Sequence, residues 1–359
     1  MELVKGVYQI MLPVEVVKDN RDQSKLIKTD KDNLMRVIEQ KVQEHRKPFA
    51  VNCYLIEGTK ENLLIDPGLD STEGYTILVD ELKKYGFDIK DISTIVITHI
   101  HPDHYGLAGK LKQLSGAKLA LSDIEAAMLN ARYLNMDPLI NEIKEMLYLG
   151  GAPVEMISGL SESSLPLRKF VTPVLPDIKL KDGKKISIDP FEFKVLITPG
   201  HSAGHVCLYE PNRKLLFSGD HILPEITPHI SYHAQSSSDP LGDYIKSLKS
   251  MMKLEVRLAF PGHGPSFSGL RQRIDELLSH HEHRNAEIIE TMRGEMKTAY
   301  QIATEISWLE DNQKGNFPYM EIAHQRLAIM ETLAHLQNLV KQNKASMTEK
   351  DGVYYYNAV

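Results

Sequence analysis

Cysteine is nearly missing from this sequence. There are two in 359 residues, Cys53 and Cys207, each inside an apolar, strand-like run (Val51-Asn-Cys-Tyr-Leu-Ile and His205-Val-Cys-Leu-Tyr). That excludes a disulfide-stapled scaffold and marks both thiols as reduced core residues, which suits a cytosolic compartment. Long hydrophobic runs are missing too: none approaches the roughly eighteen residues of a spanning helix. Met1-Glu-Leu-Val-Lys-Gly has no apolar signal-peptide region, so the expectation is a soluble cytoplasmic protein with no membrane partner. Positive charge is not in surplus. With 42 Lys and Arg against 48 Asp and Glu the net charge is −6, which gives no general attraction for nucleic acid or anionic lipid. No internal repeat or low-complexity tract stands out. What the chain does have is bulk. At 42% hydrophobic residues it can bury a large core, and its length suits two domains better than one.

The chain is organised around Thr94-Ile-Val-Ile-Thr-His-Ile-His-Pro-Asp-His-Tyr-Gly-Leu-Ala-Gly109. The β-branched run Ile95 to Ile97 reads as a buried strand that delivers His99, His101, Asp103 and His104 into a loop ending at Gly106. Three imidazoles and a carboxylate within six positions can hold two adjacent borderline ions such as Zn²⁺. A strand has no packing reason to end this way. Leu107, Ala108, Leu111 and Leu114 then follow at helical spacing.

His-x-His-x-Asp-His after a strand resembles the signature of the metallo-β-lactamase superfamily of hydrolases, and three more motifs match it in order. Pro199-Gly-His-Ser-Ala-Gly-His205 follows the strand Phe193 to Ile197, Leu215-Leu-Phe-Ser-Gly-Asp220 ends a strand in an acid, and Leu258-Ala-Phe-Pro-Gly-His-Gly264 ends another in His263. Each is an apolar strand followed by a Gly or Pro turn. The resemblance spans about residues 5–268. It implies an α+β fold, the αββα sandwich, here with helical insertions.

Gly6 to Leu12, Asn52 to Glu57 and Asn62 to Asp66 read as opening strands, and Gly74 to Tyr85 as a helix with Ile77, Leu78, Leu82 and Tyr85 inward. Two insertions are expected. Residues 16–48 hold one amphipathic pattern (Leu34, Val37, Ile38, Val42), and residues 123–175 are helical at first, then Gly- and Pro-rich from Gly150 to Pro176, and placed where they could cap a pocket. Lys181-Asp-Gly-Lys after Ile178-Lys-Leu reads as a hairpin turn. Ser238-Asp-Pro-Leu caps a helix with Leu241, Tyr244, Ile245 and Leu248 inward. The boundary between a catalytic domain, 1–268, and a second domain, 269–359, falls near Gly264-Pro-Ser-Phe-Ser-Gly269. Beyond it come a long helix (Arg271 to Met292), a short one (Thr298 to Ile306), a third (Pro318 to Asn343) and a hairpin with an Asp-Gly turn. This order resembles a winged-helix module.

Carried over residue by residue, the resemblance puts His99, His101 and His201 on one metal and Asp103, His104 and His263 on another, with Asp220 bridging. A water shared by the two ions and converted to hydroxide is the implied nucleophile, with Asp103 as its proton acceptor. The implied cofactor is two divalent ions, Zn²⁺ first, with Fe or Mn²⁺ as alternatives for the same ligands. Asp66-Pro-Gly68 matches the turn whose acid supports the metal site from behind. His205 is read as structural. His221, next to Asp220, is a candidate proton donor or pocket residue, and His229 and His233 lie in a loop near the site. His280, His281 and His283 lie on the long helix, where 280 and 283 share a face.

The leading expectation for function is a metal-dependent hydrolase of a small-molecule thioester, ester or lactone, because the central block resembles the glyoxalase II and lactonase branches. The alternative is an endoribonuclease or phosphodiesterase, since one winged-helix branch includes endoribonucleases. Residues 270–359 carry 10 Lys and Arg against 13 Asp and Glu, a poor phosphate-backbone binder. That region is expected instead to dimerise the protein or to close the pocket. A non-enzymatic ligand sensor is a third, weaker reading.

Overall fold

The computed structural model describes residues 1–14, 50–308 and 316–359. The expected insertion at 16–48 lies outside the described residues. Seven strands form the first sheet, arranged in chain order: β1 (Glu2–Val4), β2 (Val7–Pro13), β3 (Ala50–Glu57), β4 (Asn62–Ile65), β5 (Ile92–Val96), β6 (Lys118–Ser122) and β7 (Ile178–Leu180). Pairing is antiparallel up to β4 and parallel from β4 to β7. The second sheet holds β8 (Lys185–Ile188), β9 (Phe191–Ile197), β10 (Val206–Glu210), β11 (Leu215–Gly219) and β12 (Leu258–Pro261) in the order β12-β11-β10-β9-β8. Only β11 and β12 run parallel to each other.

Strand alternation builds the layers. Along β3 and β4, Tyr54, Ile56, Leu63 and Ile65 face the second sheet and meet Phe193, Phe217 and Phe260, while Cys53, Leu55 and Leu64 face the other way. That outer face is covered by the helices Thr72–Lys84, through Leu78 and Leu82, and Ala108–Ser115, through Leu111. The outer face of the second sheet, with Cys207, Leu216 and Ala259, is covered by Pro240–Met251 and Leu270–Thr291. The result is the expected αββα sandwich. Both cysteines are buried and free.

One local expectation is corrected. Asp182-Gly183 does not close a hairpin: β7 pairs in parallel with β6, and the turn crosses to the second sheet, where Gly183 N donates to Val195 O (2.8 Å) and Ile197 N to Asp182 Oδ1 (3.0 Å). Tertiary pairing overrode a sound local turn signal. The Gly- and Pro-rich stretch from Gly150 to Pro176 has regular structure of its own. It forms the helix Val154–Glu162, begun by Pro153, and the 3₁₀ turns Leu165–Phe170. Its apolar face is buried against the C-terminal region, a contact that local composition does not announce.

That region contains the helices Leu270–Thr291, Ala299–Glu305 and Ile322–Lys341 and a terminal hairpin, β13 (Ala345–Lys350) and β14 (Val353–Ala358), turned at Asp351-Gly352. Ala299–Glu305 starts at a capping box of Thr298 and Gln301. Leu139, Ile143, Leu147 and Leu160 of the second insertion share one core with Ile302, Phe317, Ile329, Leu333 and Tyr356. Among the described residues no helix is long and apolar enough to cross a membrane.

Candidate metal centre

Every residue of the candidate centre leaves the sheets at one edge. β5 ends at Val96, and the chain runs through Thr98, His99 and His101 into the single turn Pro102–Tyr105, which presents Asp103 and His104. His201 follows β9, Asp220 follows β11 and His263 follows β12. Because β11 and β12 are parallel, Asp220 and His263 emerge side by side. Val206 N donates to Thr98 O (2.9 Å) and Asn52 N to Gly262 O (2.7 Å), which ties the loops of the two sheets together. Gly262 has to be glycine. A Cβ there would lie 2.2 Å from Asp220 Oδ1 and 2.8 Å from His104 Cε1.

All seven expected ligands converge. His99 Nε2, His101 Nδ1 and His201 Nε2 lie 2.9, 3.0 and 3.2 Å from one another. His263 Nε2 lies 3.3 Å from Asp103 Oδ2, and His104 Nε2 lies 3.7 Å from the same atom. Asp220 stands between these two sets, with Oδ2 3.6 Å from His201 Nε2 and 3.5 Å from His263 Nε2, and Oδ1 3.4 Å from His104 Nε2. Donor atoms of His99, His101 and His201, of Asp103, His104 and His263, and of His99, His104 and Asp220 each cluster within 4.8 Å.

The far nitrogen of four of these rings is held as well. His104 Nδ1 pairs with Asp66 Oδ2 (2.8 Å), His99 Nδ1 with Thr98 Oγ1 (3.0 Å), His201 Nδ1 with His229 O (2.8 Å) and His263 Nδ1 with Ala50 O (2.8 Å). Such partners fix the orientation of each ring, so that its inward nitrogen would supply a lone pair to a bound metal. Asp66 is the acid of the Asp-Pro-Gly turn, as expected. It sits at φ +51° and also accepts from Thr98 N (2.8 Å) and Thr98 Oγ1 (2.7 Å). Sequence reasoning missed Glu125. This buried carboxylate accepts from Ile100 N (2.9 Å), Gly204 N (2.8 Å) and the Ser202 hydroxyl, and so clamps the His99–His104 loop to the His201–His205 loop.

Electrostatics sort the cluster into neutral and charged groups. Burial and the neighbouring positive charges hold His99 and His101 well below the ordinary histidine value, and burial also lowers His201. These rings are neutral, the form that binds a metal. Burial pulls His104 and His263 down too, but the carboxylates of Asp220, Asp103 and, for His104, Asp66 push both up, His263 to about 10. Burial pushes Asp103 and Asp220 up, yet His104 and His263 keep both anionic. The two acids thus demand positive charge between them. His104 Nε2 and Asp220 Oδ1 are buried and make no hydrogen bond among the described residues. Neutral imidazoles, paired carboxylates and two orphaned inward atoms fit divalent cations.

His101, Asp103 and His201 open onto a cavity of about 320 Å³ walled by Tyr133, Met136, Leu139, Ile143, Leu327 and Met330. The second insertion and the C-terminal helix Ile322–Lys341 therefore both close this pocket. His229 and His233 line it. His221 does not, which corrects its candidacy as a proton donor. Its ring is fully buried between His205 and Tyr244, and burial lowers it to about 3. His205 is structural as expected: its Nδ1 meets Thr198 Oγ1 (2.8 Å) and its Nε2 accepts from Asp220 N (3.1 Å). On the long helix the buried ring is His281, not His280 or His283, and it meets His335 at 3.3 Å.

The family model of the metallo-beta-lactamase superfamily matches residues 46–263. The chain is 24% identical over 322 residues to the probable metallo-hydrolase YqjP of Bacillus subtilis, covering 86% of this chain and 94% of that one. It is 21% identical to an atrochrysone carboxyl ACP thioesterase of Aspergillus fumigatus, over 67% of this chain and 59% of the relative. Among solved structures, a metallo-beta-lactamase family protein from Thermus thermophilus superposes with a TM-score of 0.77 at 25% identity, covering 99% of this chain and 100% of the other.

Proposed function

The chain belongs to the metallo-β-lactamase superfamily, and on that premise we propose that it is a dinuclear metal-dependent hydrolase of a small-molecule thioester or ester, lactones included. The observation that carries this reading is the placement of Asp220 between two donor sets, of which His101, His201 and Asp103 open onto the cavity. We assign His99, His101 and His201 to one divalent ion and Asp103, His104 and His263 to a second, with Asp220 shared and Zn²⁺ the first candidate. Bound there, such ions supply a hydroxide from water near neutral pH and polarise a carbonyl oxygen. The chain's own residues do the rest. The cavity walls would bind the acyl group and exclude bulk water, and Asp103 would accept the proton of the attacking water. The water oxygen would add to the acyl carbon as the C–S or C–O bond breaks, and the leaving thiol or alcohol would take up the proton that Asp103 accepted.

The Leu, Ile and Met side chains of the cavity offer an acyl chain apolar contact, and one relative bears the name of a thioesterase. The acidic balance of residues 270–359 speaks against RNA. We read 1–268 as the catalytic domain and 269–359 as a winged-helix-like appendage that closes the pocket. The test is a hydrolysis panel on the metal-quantified full chain: acyl thioesters, esters and lactones beside single-stranded RNA and a phosphodiester. Turnover confined to acyl substrates is expected. Cleavage of RNA or phosphodiester alone would transfer the assignment to the nuclease branch.

A further inference from the structure

The same cavity contains a feature that ester hydrolysis does not require. Leu, Ile and Met side chains make up much of its wall, yet three arginines line it, the exposed Arg168 and the half-buried Arg132 and Arg326. Arg132 sits on the single π-helical turn Asn130–Leu134, an irregularity that often marks a functional position, and Arg326 on the helix Ile322–Lys341. Arg132 and Arg168 come from the second insertion and Arg326 from the C-terminal region. Arg326 donates to the Ser164 hydroxyl, while its Nε is buried with no hydrogen-bond partner among the described residues.

Among the described residues neither Arg132 nor Arg326 has a direct anionic partner, although the Glu125 carboxylate is near enough to feel the charge of Arg132. The acids around the cavity have other partners. Glu125 accepts from Ile100, Ser202 and Gly204, Glu331 holds His229 at 2.8 Å, and Asp103 belongs to the metal centre. Burial, and after it the charge of Arg132, brings Arg326 down to about 10, so it stays cationic at neutral pH beside a like charge. Desolvated like charges are costly to keep, and an anion bound between them removes that cost. Guanidinium forks match carboxylate and phosphate oxygens in pairs.

We infer that the cavity selects an acyl substrate bearing an anionic group, a carboxylate or a phosphate, which Arg132 and Arg326 hold while the scissile carbonyl lies at the metal centre. This rests on the hydrolytic reading above. His101, Asp103 and His201 line the same chamber, so anion and scissile bond share one small space. A volume of about 320 Å³ is at the low end for ligand pockets and suits a short acyl group better than a whole nucleotide carrier.

The test uses probes that cannot react. Calorimetric titration of the full chain with glutarate, its neutral analogue glutaramide, and inorganic phosphate should give at least tenfold tighter binding of the anions than of glutaramide. Arg132→Gln and Arg326→Gln should each weaken anion binding at least tenfold at unchanged metal content. Arg326→Lys should recover part of the loss, which a purely structural arginine would not allow. Glutaryl and pentanoyl thioesters on N-acetylcysteamine and on coenzyme A then separate the sources. A glutaryl preference on both carriers places the anion on the acyl group, and a preference for coenzyme A alone places it on the carrier phosphates. Glutaramide binding as tightly as glutarate, or glutarate binding unchanged in both glutamine variants, would overturn the inference. In that case, continued turnover of pentanoyl thioester would leave the hydrolytic reading standing. Arginine-dependent glutarate binding with no acyl turnover would keep the anion site but sink the hydrolytic reading, and with it the acyl substrate.

Discussion

Single atoms decide the centre at the residue scale. The backbone of Gly262 passes so close to Asp220 that one added carbon would meet its Oδ1 at 2.2 Å. Gly262→Ala should therefore displace the shared carboxylate and lower kcat by at least about a hundredfold, on the order of 3 kcal/mol of lost stabilisation. Metal content should fall while circular dichroism stays unchanged; wild-type turnover with full metal content would contradict this. Asp66→Asn is the milder change. It keeps the shape, but removes the negative charge that faces His104 Nδ1 and turns one of the two oxygens that accept from Thr98 into an amide donor. The expected outcome is a weaker affinity for the metal on the Asp103, His104 and His263 side, by about 10- to 100-fold, read by chelator competition.

The chemistry-bearing residues were legible because each is local, the last word of a strand-and-turn phrase. Glu125 was not, because it owes its role to chain 77 residues away, where Ser202 and its loop come back to meet it. Ser122-Asp-Ile-Glu125 even resembles a helix capping box, and Ser122 does accept from Glu125 N (3.2 Å). The glutamate side chain serves the ligand loops instead. The same limit applies to His221, placed beside Asp220 in sequence but turned into the core by Tyr244.

Elements matter through how they couple. Glu125, on the helix Asp123–Leu129, is the strut between the two ligand loops, and Glu125→Ala strands two buried backbone donors, Ile100 N and Gly204 N. The expected cost is about 2–5 kcal/mol of stability by denaturant titration, together with a large loss of metal; a change below about 0.5 kcal/mol would refute the strut. Glu331 plays a related part from the C-terminal helix. It pairs with His229 at 2.8 Å, and the carbonyl of His229 holds His201 Nδ1. Burial acts upward on Glu331, but His229 outweighs it and brings the carboxyl from 4.5 to about 2. A lowered folded value means that its stabilisation is complete above about pH 4.5 and is lost as pH falls toward 2. The stability gap between wild type and Glu331→Gln, about 1.5–3 kcal/mol for a charged hydrogen bond, should be constant above pH 5 and close between 4.5 and 2. A gap that does not depend on pH across that range would remove the charge from the explanation.

For the whole molecule, the sandwich and its site edge followed from strand motifs, whereas the joining of parts did not. Leu139, Ile143 and Leu147 read as a helix face, and their partners Ile329, Leu333 and Tyr356 come from the other end of the chain. No periodicity shows that two such faces meet. The Asp182-Gly183 turn failed for the same reason, since the sheet it feeds is chosen by tertiary pairing. The joining also gives the pocket its roof, because Leu327 and Met330 of the C-terminal helix face the residues of the second insertion across the cavity.

The central claim is that seven side chains form one two-metal hydrolytic centre. It is tested most directly by adding a divalent ion stepwise to chelator-stripped full chain while following bound metal and acyl turnover together, in wild type and in Asp220→Ala. The account predicts that wild-type activity rises with the second equivalent and saturates near two ions per chain. Asp220→Ala should stay folded, hold fewer ions and lose most activity. Full turnover in the stripped protein, or wild-type turnover in Asp220→Ala, would contradict it.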